Sequence, residues 1–193
     1  MARPKEYDRM AVLTEAMNVF WGTGYFGTSL AQLIDATRLK PGSLYGAFHS
    51  KEDLFLAALD LYGAMSVENV REILQGTPSP LDGLREWIRK VVREVANHQS
   101  HGCLLVNTAI ELSSRNPAIR GKVNGYFDEI RGLIVSQLEK SKNAGEISED
   151  KDPASLGSFI LCLLYGLRVM GETCPEASSV KSIEAEIFRM LES

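Results

Sequence analysis

Hydroxyl, phenol and cationic side chains are concentrated between residues 28 and 51 of this 193-residue chain. Hydroxyls and cations can donate hydrogen bonds to phosphate oxygens, and small neighbouring residues let such groups approach base edges closely. We therefore interpret this region as a surface for double-stranded DNA. The candidate contact residues are Thr28, Ser29, Arg38, Lys40, Pro41, Gly42, Ser43, Tyr45, His49 and Lys51.

Two short helices joined by a tight turn are predicted to position these groups. The first begins at a capping box formed by Ser29 and Gln32, although Thr28 could also supply the capping hydroxyl. The second has Pro41 at its first position, where a missing N–H is tolerated. Its inward positions are Leu44 and Phe48, and its outward positions, which suit a major groove, are Gly42, Ser43, Tyr45 and Gly46.

These motifs make residues 8–60 resemble the tetracycline-repressor (TetR) family of helix-turn-helix transcription regulators. The resemblance rests on Phe20, Gly24-Tyr25, Thr28-Ser29-Leu30, Gly42-Ser43-Leu44-Tyr45, Phe48 and Lys51-Glu52-Asp53-Leu54. It implies a homodimeric repressor whose recognition helices meet two half-sites about 34–36 Å apart. It also implies that an effector in the C-terminal body changes this separation through the helix that starts at Lys51.

Two residues in the turn depart from the pattern of that family. Arg38 replaces the usual glycine, and a left-handed conformation there would cost a non-glycine residue about 1 kcal/mol. Lys40 stands where a small capping residue is usual. Either the turn adopts another conformation, or Arg38 is retained because its charge reaches a phosphate. The alternative function is therefore a helical interaction protein that has kept the scaffold and lost operator binding.

The bulk composition is that of an ordinary globular chain, with 45% hydrophobic and 24% charged residues. The formal net charge of −4 is unevenly divided, because residues 1–51 hold six basic and four acidic side chains. This asymmetry favours a DNA-binding module on an acidic body. The sequence has no apolar run of about 18 residues, no signal-peptide core and too few cysteines for a disulfide framework. We therefore expect a cytoplasmic protein with no membrane partner.

Apolar periodicity and capping residues predict an all-α fold of about nine helices. Outside the DNA-binding segment, helices are expected at about 8–21, 51–74, 81–97, 102–113 and 180–191, and two more should open at Asn116-Pro117 and Asp152-Pro153. A proline-rich loop at 76–80 is expected to divide the chain. It would separate a DNA-binding domain (1–50) and its linking helix (51–74) from an effector-binding and dimerisation domain (75–193).

One segment of the predicted eighth helix, from Phe159 to Tyr165, is apolar at every position. A helix that is apolar all round must be covered on all sides, and a chain this short can cover only part of it. A second copy of the chain is expected to cover the rest. The predicted dimer interface consists of Phe159, Leu163, Leu167, Ile183 and Ile187.

Three potential metal ligands, His98, His101 and Cys103, lie within six residues. Because no second ligand cluster is recognisable, no metal site is predicted. Cys103 is expected in the first turn of the sixth helix, where free N–H groups favour a reactive thiolate. Its segment, 102–108, resembles one that some members of the family use to sense electrophiles. A buried and inert thiol is the alternative interpretation.

Polar and aromatic side chains within the apolar helices of the C-terminal body form a candidate effector site. Small-molecule sites combine an apolar cavity with a few convergent polar groups. The candidate residues are Trp87, Cys103, Asn107, Glu111, Phe127 and Arg168. The same groups could instead cap or bridge helices. No catalytic motif is recognisable, so we expect a regulator that responds to a small molecule, without enzymatic activity or a cofactor.

Overall fold

The computed structural model describes residues 7–97, 101–173 and 175–192, and all regular structure in these ranges is α-helical. The helices are α1 (Arg9–Gly27), α2 (Leu30–Thr37), α3 (Pro41–Ala47), α4 (Lys51–Gln75), α5 (Pro80–Ala96), α6 (Leu104–Leu112), α7 (Pro117–Asn143), α8 (Pro153–Gly171) and α9 (Ala177–Glu192). The prediction of an all-α fold with about nine helices is confirmed for this part of the chain.

The turn between α2 and α3 resolves the question raised by its unusual residues. Arg38 adopts the left-handed conformation, with φ 57° and ψ 15°, so the turn keeps its shape without a glycine. Upstream, Ser29 and Gln32 form the predicted capping box. Lys40 precedes α3 without a capping hydrogen bond from its side chain, and Pro41 occupies the first turn as predicted.

The end of the first helix differs from its prediction. The sequence placed the end near residue 21, but α1 continues to Gly27 across a break at Gly24, where φ is 71° and ψ is 174°. Thr28 does not cap α2, because its hydroxyl is buried and donates to the Gly24 carbonyl oxygen at 2.6 Å. The hydroxyl at position 28 therefore closes the end of α1, and Ser29 alone caps α2.

Two hydrophobic cores lie along the molecule and share its long helices. The first core is formed by helices α1, α2 and α3, the start of α4, helix α6 and the start of α7. It includes Phe20, Leu44, Phe55, Leu104 and Val123. The second joins the rest of α4 with α5, α7, α8 and α9. Helix α6, which follows the predicted domain boundary near residue 75, therefore packs with the DNA-binding helices.

Helix α8 exposes much of its apolar surface. By length and composition it could cross a membrane, with a mean hydropathy of 1.6 over its best window, of which only 28% is buried. Core helices of globular proteins can have the same length and composition, so this helix alone does not indicate a membrane span. The helix also carries Arg168, which forms an ion pair with Glu94 of α5. Its inner face, with Ile160 and Leu164, packs into the second core.

The predicted dimer residues divide between that inner face and the outer surface. Leu167 is 1% exposed and packs inside its own chain, so its assignment to the interface was wrong. The helical phase explains this, because Leu167 is one turn from Leu164 on the inner face. Ile187 is also 1% exposed, and it forms the floor of a surface groove. The groove, of about 420 Å³, is lined mainly by Phe159, Leu163, Ile183, Ile187 and Met190.

Candidate DNA-binding surface and effector cavity

The outer face of α3 is open. Leu44 and Phe48 are buried beneath it, whereas Tyr45 remains 42% exposed. A Cβ atom added at Gly42 or Gly46 would meet nothing within 4 Å, so this surface can be approached closely. The flanking predicted contact residues Lys40, Pro41, Ser43 and His49 are exposed as well. The recognition helix thus presents small, hydroxyl and phenol groups to solvent, as the DNA-binding interpretation requires.

Cations border this face in two different ways. The Arg38 side chain is 81% exposed, and its Nη1 lies 2.7 Å from Oδ1 of the similarly exposed Asp35. Such a pair contributes about 0.2–1 kcal/mol, so the guanidinium can exchange it for a phosphate. Lys51 is half-buried, and its Nζ donates to the Thr28 carbonyl oxygen. The same Nζ lies 4.6 Å from the centre of the Tyr25 ring. Lys51 therefore joins α1, α2 and α4.

A cavity of about 500 Å³ lies between the two cores. Of the six predicted effector residues, Trp87, Cys103 and Arg168 line it. Other lining groups were not predicted, notably Trp21, Tyr62, Glu94 and Tyr165. The available signal was Tyr62 itself, because a tyrosine among the apolar residues of a helix normally needs a hydrogen-bond partner.

The polar groups of this cavity carry balanced charge. Arg168 Nη2 lies 3.0 Å from Glu94 Oε2, which neutralises the guanidinium. Burial, together with the proximity of Cys103, raises the pKa of both Tyr62 and Tyr165. Their hydroxyls therefore stay protonated and can donate hydrogen bonds. The Tyr165 hydroxyl is buried without a hydrogen-bond partner among the described residues.

The remaining three predicted effector residues do not line the cavity. Asn107 donates from Nδ2 to the His101 carbonyl oxygen at 2.9 Å, and the Phe127 ring packs 4.4 Å from that of Tyr165. The carboxylate of Glu111 accepts hydrogen bonds from backbone N–H groups near the end of α1. The alternative interpretation, that polar groups cap or bridge helices, therefore describes Glu111, which connects α6 to α1, whereas Asn107 holds the loop before its own helix.

Cys103 precedes α6 as its N-cap residue, one position before the predicted first turn. It is 8% exposed, and its side chain makes no capping hydrogen bond. Among residues 7–97, 101–173 and 175–192, no three His, Cys, Asp or Glu side chains are grouped as metal ligands. His98, part of the run considered as metal ligands, lies outside the described residues.

Comparison with known proteins agrees with this geometry. Residues 12–58 match the family described as bacterial regulatory proteins, tetR family, and residues 80–180 match the tetracyclin repressor-like C-terminal domain. The HTH-type transcriptional repressor ComR of Escherichia coli K12 is 27% identical over 190 residues, which cover 97% of this chain and 90% of ComR.

Solved structures extend the similarity to the whole fold. A cysteine variant of the TetR-family regulator CifR, complexed with a 26-base-pair operator, is 31% identical with a TM-score of 0.84. The match covers 97% of this chain and 98% of CifR. A regulator from Chloroflexus aurantiacus is 27% identical with a TM-score of 0.83, over 93% and 91% of the two chains. The exposed recognition helix, the all-α body and these matches agree: the chain belongs to the TetR family of DNA-binding transcriptional regulators.

Proposed function

We propose that this protein is a homodimeric cytoplasmic repressor that leaves its operator when a small molecule fills the cavity beside Cys103. The observation that carries the proposal is an open, cation-flanked recognition helix in the same chain as a cavity of about 500 Å³. The repressor name of ComR and the operator complex of CifR support it.

DNA contact is assigned to the exposed residues of α3 and of the segments that flank it. Ser43 and Tyr45 are placed to meet base edges or the backbone, while Ser29, Arg38, Lys40 and His49 border them. Pro41 and Gly42 allow the close approach. The Thr28 side chain is buried and is omitted from this proposal. Lys51 would add positive charge from its place at the helix junction.

Dimerisation is assigned to the groove between α8 and α9. Its apolar lining is surface-exposed at Phe159 and half-buried at Leu163, Ile183 and Met190. A second copy laid against this face would cover the apolar surface of α8, and a stable interface would bury more than about 1,000 Å². Each chain would then present α2 and α3 (residues 30–47), which we call the reading head, and the two reading heads of the dimer would be held at a fixed separation.

The effector is expected to be a neutral small molecule that offers a hydrogen-bond acceptor. Arg168 is already paired with Glu94, so an anion would have to compete with that carboxylate. The Tyr165 hydroxyl can donate to an acceptor, and Trp21 and Trp87 supply apolar walls. Covalent capture by Cys103 is the second route, because its thiol borders the same cavity.

A gel shift with DNA from upstream of the protein's own gene tests the proposal, with a shuffled duplex as control. Specific retention at physiological salt, in a stoichiometry of two chains per site, is the expected result. Equal retention of both duplexes would instead favour the helical interaction protein without operator binding.

A further inference from the structure

Glu111, near the C-terminal end of α6, holds two successive backbone amides of α1. Its Oε2 accepts from the Tyr25 N–H at 2.9 Å, and its Oε1 accepts from the Phe26 N–H at 2.7 Å. Because α1 breaks at Gly24, these amides begin a new helical turn, where N–H groups lack carbonyl partners of their own. A carboxylate that accepts a hydrogen bond from each of these two N–H groups connects α6 to α1 strongly and in a fixed orientation.

The break at Gly24 is shaped for this carboxylate. A Cβ atom at position 24 would lie 3.0 Å from Oε2 and 3.3 Å from Oε1 of Glu111. The residue also has a φ of 71°, which side chains rarely tolerate. Glycine is therefore needed both for the backbone conformation and for the approach of Glu111.

The opposite end of α6 borders the cavity. Cys103, its N-cap residue, lines the cavity, and the adjacent Gly102 carbonyl oxygen accepts from Trp21 Nε1 at 3.2 Å. Trp21 also lines the cavity. With nine residues, α6 is about 13 Å long and is tied to α1 at both ends. A shift of α6 caused at the cavity would therefore reach the amides held by Glu111.

The segment held by Glu111 adjoins the reading head directly. Tyr25 lies under the Lys51 ammonium group, and Lys51 also holds the Thr28 carbonyl oxygen, one residue before the cap of α2. The orientation of α2 and α3 relative to the body thus depends on a short series of contacts that starts at Glu111.

We propose that Glu111 is a positioning residue that fixes the orientation of the reading head, and thereby the half-site spacing that the dimer accepts. This inference rests on the proposed function. Loss of the carboxylate should loosen the orientation and weaken discrimination between spacings, whereas loss of general stability would weaken binding to every duplex alike.

The test uses a duplex selected by the wild-type protein from a randomised library, and the same duplex with one base pair added or removed between half-sites. We expect the wild type to prefer the selected spacing by on the order of tenfold or more, and Glu111→Ala to reduce this preference to about threefold or less. Glu146→Ala is the matched control, since Glu146 Oε2 accepts from the Leu81 N–H at 2.9 Å at the start of α5.

A second measurement covers the case in which Glu111→Ala does not fold. Glu111→Gln keeps one acceptor oxygen and turns an N–H donor toward the other amide, so the amides of Tyr25 and Phe26 should exchange hydrogen faster than in the wild type. Unchanged exchange, an unchanged spacing ratio, or an equal loss of spacing preference in Glu146→Ala would overturn the inference. Failure of the wild type to select any duplex would instead refute the proposed function, and the exchange measurement would still report the connection.

Discussion

The Nζ atom of Lys51 donates a hydrogen bond to the carbonyl oxygen of Thr28, which connects the start of α4 to the start of α2. The sequence marked both residues as DNA contacts, but here they contact each other. The ammonium group is also placed over the Tyr25 ring, 4.6 Å from its centre. Because of these two contacts, the Lys51 ammonium group is only partly exposed to solvent. Lys51 therefore stabilises the junction of the helices in addition to supplying positive charge.

Lys51→Ala and Lys40→Ala should therefore affect DNA binding differently. The exposed Lys40 is free to meet a phosphate, so its removal should lower the salt dependence of binding by about one unit. Lys51→Ala should lower the salt dependence of DNA binding by clearly less than one unit, and it should also reduce the free energy of unfolding. Titrations of operator and random DNA between low and high salt give the slopes. Equal slope changes for the two variants would place Lys51 among the phosphate contacts.

Arg38→Gly should stabilise the fold and weaken DNA binding. A left-handed non-glycine residue costs about 1–2 kcal/mol, and glycine loses about 0.5–1 kcal/mol of conformational entropy on folding. The free energy of unfolding should therefore rise by about 0.5–1 kcal/mol. Urea unfolding measures that gain, and a DNA titration measures the loss of a cation. Asp35→Ala is the control, because it removes the ion pair and leaves the turn unchanged. Stability equal to or below that of the wild type would argue against strain at Arg38.

Leu163→Glu should convert the proposed dimer to monomers. The substitution places a charge in the apolar groove between α8 and α9, where an unpaired carboxylate would be costly to cover. Sedimentation at micromolar concentration reports the mass. Ile110→Glu, at a position of α6 that is 67% exposed, serves as the matched control and should remain dimeric. A wild type that sediments as a monomer would remove the basis for this interface.

Cys103→Ser should leave operator affinity within about twofold of the wild type, because the thiol makes no capping hydrogen bond and lies far along α6 from Glu111. N-ethylmaleimide should label the exposed Cys162 before the buried Cys103. Comparing release from DNA in the wild type, Cys103→Ser and Cys162→Ser separates the effector routes. Release that is lost only in Cys103→Ser would establish covalent sensing in place of the non-covalent effector.

Signals that lie close together in the sequence predicted most of the fold. The capping box of Ser29 and Gln32, and the caps at Asn116 and Asp152, mark helix starts through contacts within a few residues. The end of α1 was missed because its extension past Gly24 depends on Glu111, which is 86 residues away from Tyr25. The cavity was only half predicted for the same reason, since Tyr62 of α4 and Tyr165 of α8 line one cavity although they lie far apart in the sequence.

The place of α6 in the first core limits how this protein can be recombined with its relatives. Leu104, Leu105 and Val106 pack with Phe20 and Phe55, so a chain cut after α4 would lack part of the wall of its own core. A chimera that exchanges only the first 50 residues would join an α1 from one protein to an α6 from another. A graft that is meant to fold and to transfer DNA specificity should therefore carry α6, with Glu111, together with the first 50 residues.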